Sequence, residues 1–138
     1  VYWITEYLGI KAVNEDLREE EFYDSIIYDL RHLVDGKNNP SILRTTVAKL
    51  IDLYEFCICN NIRLVLQCPA GISRSNALAT FLLSIEKCIP WEESLSIVKK
   101  NCGRKYKIRM NVYLEGIEED EYSPCREAEK KIVVKKDD

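Results

Sequence analysis

The sequence predicts an α/β fold: a single domain with a short, mainly parallel central sheet flanked by helices, and a loop running from the central strand into a helix. Three observations lead to it. Arg63-Leu64-Val65-Leu66 is an apolar run, too short for a helix and free of breakers, which reads as a central parallel strand. Ahead of it, Leu43, Val47, Leu50, Ile51 and Tyr54 recur at helical spacing, and behind it Ala77, Leu78, Phe81, Leu82 and Ile85 do the same. Strand, helix, strand, loop, helix is the order of helices layered on a parallel sheet.

In chain order, Tyr2-Trp3-Ile4 and Tyr7-Leu8-Gly9-Ile10 form one or two short strands, and Asp16 to Glu21 a charged surface turn or helix. Ser25 to Leu30 is β-branched and aromatic, which predicts a buried strand. Asp35-Gly36-Lys37-Asn38-Asn39-Pro40 is dense in turn formers and predicts a loop. Ser41 is the expected cap of the long helix that follows, and Asn60-Asn61 its end. Pro90 opens a further helix with Trp91, Leu95 and Val98, and Glu92 and Glu93 in its first turn suit the helix dipole. Val112, Leu114 and Ile117 predict a last helix, and 124–138 a charged tail.

Composition sets the limits. With 138 residues, 46% hydrophobic and 31% charged, the chain can bury an ordinary core without disulfides. Its single histidine, His32, excludes any site needing two. The apolar stretch around Phe81-Leu82-Leu83 falls far short of the ~20 residues that cross a bilayer. Six scattered cysteines, and no secretory pattern over Val1 to Ile10, give the expectation of a cytoplasmic, thiol-bearing protein.

The chemistry concentrates between Cys68 and Ser75. A strand that turns tightly into a helix aims backbone N–H groups and a positive dipole end at one point, which suits a phosphate-like anion. Cys68 at the strand end would sit beneath amides that stabilise a thiolate. Pro69, Ala70, Gly71, Ile72 and Ser73 form the predicted phosphate-binding loop, with Gly71 letting the amides converge. Arg74 offers a planar fork for two phosphoryl oxygens, and Ser75 a hydroxyl for the sulfur. Cys-x5-Arg alone is weak: it recurs at Cys57 to Arg63, without glycine and without a strand leading in.

Gln67-Cys68-Pro69-Ala70-Gly71-Ile72-Ser73-Arg74-Ser75 resembles the signature of the cysteine-dependent protein phosphatases, the small dual-specificity members above all. Leu8-Gly9 resembles the early strand motif of that family, Asp35-Gly36 its general-acid loop, and Asn111-Val112-Tyr113-Leu114-Glu115 its last core helix. The resemblance covers about residues 1–120, so 1–123 is the expected catalytic domain. It implies that Cys68 attacks phosphorus and that Arg74 with the loop amides holds the transferring oxygens. It also implies that Asp35 protonates the leaving group and that no metal or cofactor takes part. Asp24 and Asp29 are the competing acids, with Asp35 preferred on spacing and loop position. Gln67 is a departure, since the family has histidine there.

The implied function is hydrolysis of phosphotyrosine and phosphoserine/threonine in proteins through a phosphocysteine intermediate. Lys99, Lys100, Arg104, Lys105, Lys107 and Arg109 form a basic cluster, which supports an RNA 5′-phosphatase as the enzymatic alternative. A phosphoprotein-binding pseudophosphatase is the non-enzymatic one, motivated by Gln67 and opposed by the intact Cys68, Arg74 and Asp35. Cys57 and Cys59 are expected to pack at a helix end rather than bind metal, and Cys88 and Cys102 to pack rather than act as resolving thiols.

Overall fold

A computed structural model describes residues 1–69 and 73–102. The last helix, the basic residues from Arg104 onward, the tail and the 1–123 boundary all lie outside them. The elements are β1 (Tyr2–Trp3), β2 (Leu8–Ala12), α1 (Glu19–Tyr23), β3 (Ser25–Asp29), α2 (Pro40–Cys59), β4 (Arg63–Cys68), α3 (Arg74–Lys87) and α4 (Trp91–Asn101). The four strands run in the order β1-β2-β4-β3. β4 is parallel to both neighbours, pairing Leu64 with Leu8 and with Ile26, while β1 is antiparallel to β2. The expected mainly parallel sheet is present, with β4 at its centre.

One apolar cluster joins the sheet to α2 and α3. Leu8, Ile10, Leu64 and Leu66 from the strands meet Leu43, Val47 and Leu50 of α2 and Leu78, Leu82 and Leu83 of α3. Each such side chain, fully withdrawn from water, contributes roughly 1.5–3 kcal/mol. α4 docks on α3, where the Ser94 hydroxyl donates to the Thr80 carbonyl at 2.6 Å and Val98 is buried. Among the described residues no helix is long and apolar enough to cross a membrane.

Three expectations are corrected. The strand at 25–29 is the sheet edge and is half-buried, with Ile27 40% exposed, so its apolar run marks pairing on one side only. The cap of α2 is Asn39: its side chain accepts from the amides of Ser41 and Ile42, and Pro40 occupies the first turn, where a missing N–H costs nothing. Glu21 in the acidic stretch is buried rather than surface. Its carboxylate accepts from the Trp3 indole at 2.7 Å and from the Arg18 amide and guanidinium, both at 3.1 Å.

Trp3 explains both Glu21 and Gly9. The indole lies across Gly9, its paired residue, and the Arg63 guanidinium stacks 5.0 Å from the ring centroid. A Cβ on Gly9 would stand 2.7 Å from two ring carbons. Gly9→Ala is therefore expected to cost about 1–3 kcal/mol in urea unfolding, and an unchanged midpoint would show that the ring moves freely.

Burial alone would raise the Glu21 carboxyl, but the Arg18 side chain and amide and the Trp3 indole outweigh it and hold it below the usual range. A depressed folded-state value stabilises above the unfolded value, about 4.3, and that gain is lost as pH falls through the folded value. Glu21→Gln should cost about 1 kcal/mol at pH 7, a modest figure because Arg18 is exposed. The difference from wild type should shrink in acid; a gap that persists at pH 3 would assign the effect to packing.

Candidate active site

The C-terminal ends of β2, β3 and β4 meet along one edge of the sheet, where ligands bind in open α/β folds. Cys68 is the last residue of β4 and is only 2% exposed. Its sulfur lies 3.2 Å from the hydroxyl of the fully buried Ser75. That pairing sets a hydroxyl of the first turn of α3 against the sulfur, and either group can donate. Ala70, Gly71 and Ile72 lie outside the described residues.

Ser73 occupies the N-cap position of α3 but makes no cap bond. Its hydroxyl donates instead to Asp35 Oδ1 at 2.5 Å. The first-turn amides of α3 thereby lack a side-chain cap, the condition in which a helix start receives an anion. Arg74, the first residue of α3, donates through Nη1 to the Leu33 carbonyl at 2.7 Å. Two bonds thus clasp the segment carrying Asp35 to the start of α3.

The 30–39 connection has its own internal support. Asn38, buried, accepts from the Val34 amide at 2.7 Å and donates to the carbonyls of Val34 and Gly36. Gly36 adopts φ +154°, a conformation that L side chains rarely reach. Asp35 is left exposed at the tip of this turn. Asn38 supports the site from behind Asp35, and an Asn whose side chain imitates a turn's backbone bonds is the sequence signal for it in such a stretch.

The competing acids are placed differently. Asp29 ends β3 and pairs with Arg31 at 2.6 Å, and the guanidinium hydrogen bond holds its carboxyl below the usual range. Asp24 occupies the C-cap position of α1, just before the N-terminal end of β3 and so at the opposite edge of the sheet. His32 shares a 2.9 Å hydrogen bond with Thr46 of α2. Cys57 is buried and its thiol is pushed up by that burial, whereas Cys59 is exposed, so the two do not converge. Cys88 is exposed at the end of α3, and Cys102, buried, accepts from Asn76 at 3.5 Å. A hollow of 430 Å³ between α2 and α3, lined by Ile51, Tyr54, Ile58, Leu82 and Glu86 among others, includes no predicted site residue.

No protein-family model and no curated protein matches the sequence. Solved structures do. A leucine-rich-repeat and phosphatase-domain protein from Entamoeba histolytica superposes with a TM-score of 0.66 at 13% identity, over 94% of this chain and 90% of that one. The fold is that of the cysteine-based tyrosine phosphatases. The PTP-2 phosphatase of Cydia pomonella shares this phosphatase fold, with a TM-score of 0.59 at 17% identity over 86% and 88% of the two chains. A match to Tk-PTP in its active form, 16% identical with a TM-score of 0.47, spans 55% of this chain and half of that one. Within the phosphatase fold, the sheet edge holds Cys68, Ser73, Arg74, Ser75 and Asp35 in one constellation.

Proposed function

We propose that the protein is a metal-independent phosphatase that hydrolyses phosphotyrosine and phosphoserine/threonine in proteins through a phosphocysteine. The observation that carries this reading is the bond from Ser73 to Asp35, which brings a carboxyl group onto the segment bearing the nucleophile. The Cys68 sulfur attacks phosphorus, forming S–P as the P–O bond to the leaving group breaks. Asp35 passes its proton to that oxygen, then takes one from the water that attacks phosphorus and breaks S–P. Ser75 hydrogen-bonds the departing sulfur. Arg74 and the first-turn amides of α3 offset the charge on the equatorial oxygens, the task a metal ion performs in other phosphoryl-transfer enzymes.

Acceptance of both long and short phosphorylated side chains is supported by the connection from Leu30 to Asn39, which carries Asp35 without an inserted helix or strand that would deepen the entrance. The test is acid quenching of wild-type protein during turnover of p-nitrophenyl phosphate in EDTA, followed by peptide mass spectrometry. A phosphate adduct on Cys68 is expected; turnover with the adduct elsewhere, or activity that EDTA removes, would overturn the reading. Phosphotyrosine and phosphothreonine peptides should both be hydrolysed.

A further inference from the structure

The hollow between α2 and α3 has a chemistry of its own. Residues 51, 55 and 58 are spaced to share one face of α2, and 82, 85 and 86 one face of α3. Where the two faces meet they leave 430 Å³, a volume in the usual range of small-ligand sites. Ile51 and Ile58 from one helix and Leu82 and Ile85 from the other make its lining mostly apolar, and each helix adds one carboxylate, Glu55 or Glu86. The hollow follows the C-terminal halves of both helices. Glu86 comes eleven residues after Ser75 in α3, about 16 Å along the helix at about 1.5 Å per residue, so the hollow is remote from Cys68.

No cation offsets this negative charge. Among the described residues neither Glu55 nor Glu86 forms an ion pair. The last turn of α2 carries no basic residue, and Lys87, in the last turn of α3, does not line the hollow. Both final turns add the negative ends of their helix dipoles. Glu86 is also held in place. Tyr54, 3% exposed, donates its phenol to Glu86 Oε2 and lies 3.5 Å from the Thr5 hydroxyl. Burial, with the Glu86 carboxylate, pushes that phenol above its ordinary value, so it keeps the proton it donates. An apolar floor beside a fixed negative rim complements an aliphatic chain that ends in a cation.

We propose that this hollow binds a small organic cation, an ammonium or guanidinium carried on an aliphatic stem. The stem lies against Ile51, Ile58, Leu82 and Ile85 and leaves water there, while the charged head sits beside Glu55 and Glu86. An alcohol of equal length gains only the apolar contribution, and a carboxylate is repelled. Both glutamates are exposed, so each contributes as a solvated ion pair does, a few-fold in affinity that salt weakens. Nothing in this draws on Cys68 or the phosphate loop, and the site stands or falls independently of the proposed function.

The probe is hexylammonium, with hexanol and hexanoate as its neutral and anionic counterparts. Cys88 reports on the site, because it is exposed and lines the hollow, whereas Cys59 is exposed and does not. Alkylation of the full chain by iodoacetamide is followed at each cysteine by peptide mass spectrometry. Saturating hexylammonium should slow the reaction of Cys88 at least about threefold and leave Cys59 unchanged. By calorimetry it should bind about tenfold more tightly than hexanol, with the margin shrinking in about 1 M salt and hexanoate not binding. The double variant Glu55→Gln, Glu86→Gln should reduce that margin below about twofold while keeping wild-type circular dichroism. Ile58→Trp, which fills the hollow, should abolish the protection of Cys88. Absence of protection in the wild type overturns the proposal, as does hexanol binding as tightly as hexylammonium. A margin that survives in the double variant, or protection that survives Ile58→Trp, overturns it equally; if Ile58→Trp does not fold, the double variant decides.

Discussion

Cys68→Ser is expected to abolish turnover, with a fall of about 10⁴-fold or more, the scale on which covalent catalysts lose activity when their nucleophile is removed. Serine fits the space and can keep the hydrogen bond to Ser75, so unfolding midpoints should hardly move. A hydroxyl is a weak nucleophile unless a base takes its proton. The only histidine in the chain, His32, is hydrogen-bonded to Thr46 of α2, and no other imidazole exists to replace it. The substituted protein should still bind phosphate, since Arg74 and the start of α3 are untouched. Steady-state assays with p-nitrophenyl phosphate decide the matter, and appreciable turnover by the serine variant would sink the phosphocysteine pathway.

Asp35→Ala is expected to slow hydrolysis of phenyl phosphate about 10²- to 10³-fold, within the usual range for removal of a general acid. The loss should be smaller with p-nitrophenyl phosphate, because nitrophenolate leaves readily without a proton. This dependence on the leaving group separates an acid from a residue that merely braces the loop. The variant also frees the Ser73 hydroxyl to cap α3, so stability should not fall in step with activity. Asp29→Asn is the control: it breaks the pair with Arg31 and should change the rate only a few-fold. If the two variants exchange their effects, Asp29 is the acid.

The sheet and its central strand were legible in the sequence because local rules and burial agree there. Leu64 to Leu66 is apolar on both faces, as a strand between two parallel neighbours must be. The edge position of β3 was not legible, since an apolar run records that a strand pairs and not on how many sides. The cap of α2 lies two residues before Ser41, and Pro40 carries the signal: proline in the first helical turn puts the cap one residue earlier, at Asn39. Within the site, Cys68, Arg74 and Ser75 could be proposed from one contiguous segment. The contact between Asp35 and Ser73 could not, because it joins residues far apart in sequence. The burial of Lys11, away from these residues, was not legible for a different reason. A lysine in a short strand reads as solvent-facing, yet all five residues of β2 are buried because β1 and β4 flank it.

The parallel pairing has a kinetic consequence. Leu8 pairs with Leu64 and Ser25 with Arg63, so both ladders of β4 close only after long stretches of chain have been gathered in. Loop-closure entropy makes such pairings slow compared with helix formation. The aspartate turn and the cysteine each belong to a segment that is meaningless alone. On refolding, helical dichroism should therefore recover ahead of anion binding, and a chain trapped with β4 unpaired would keep its helices while having no site at all.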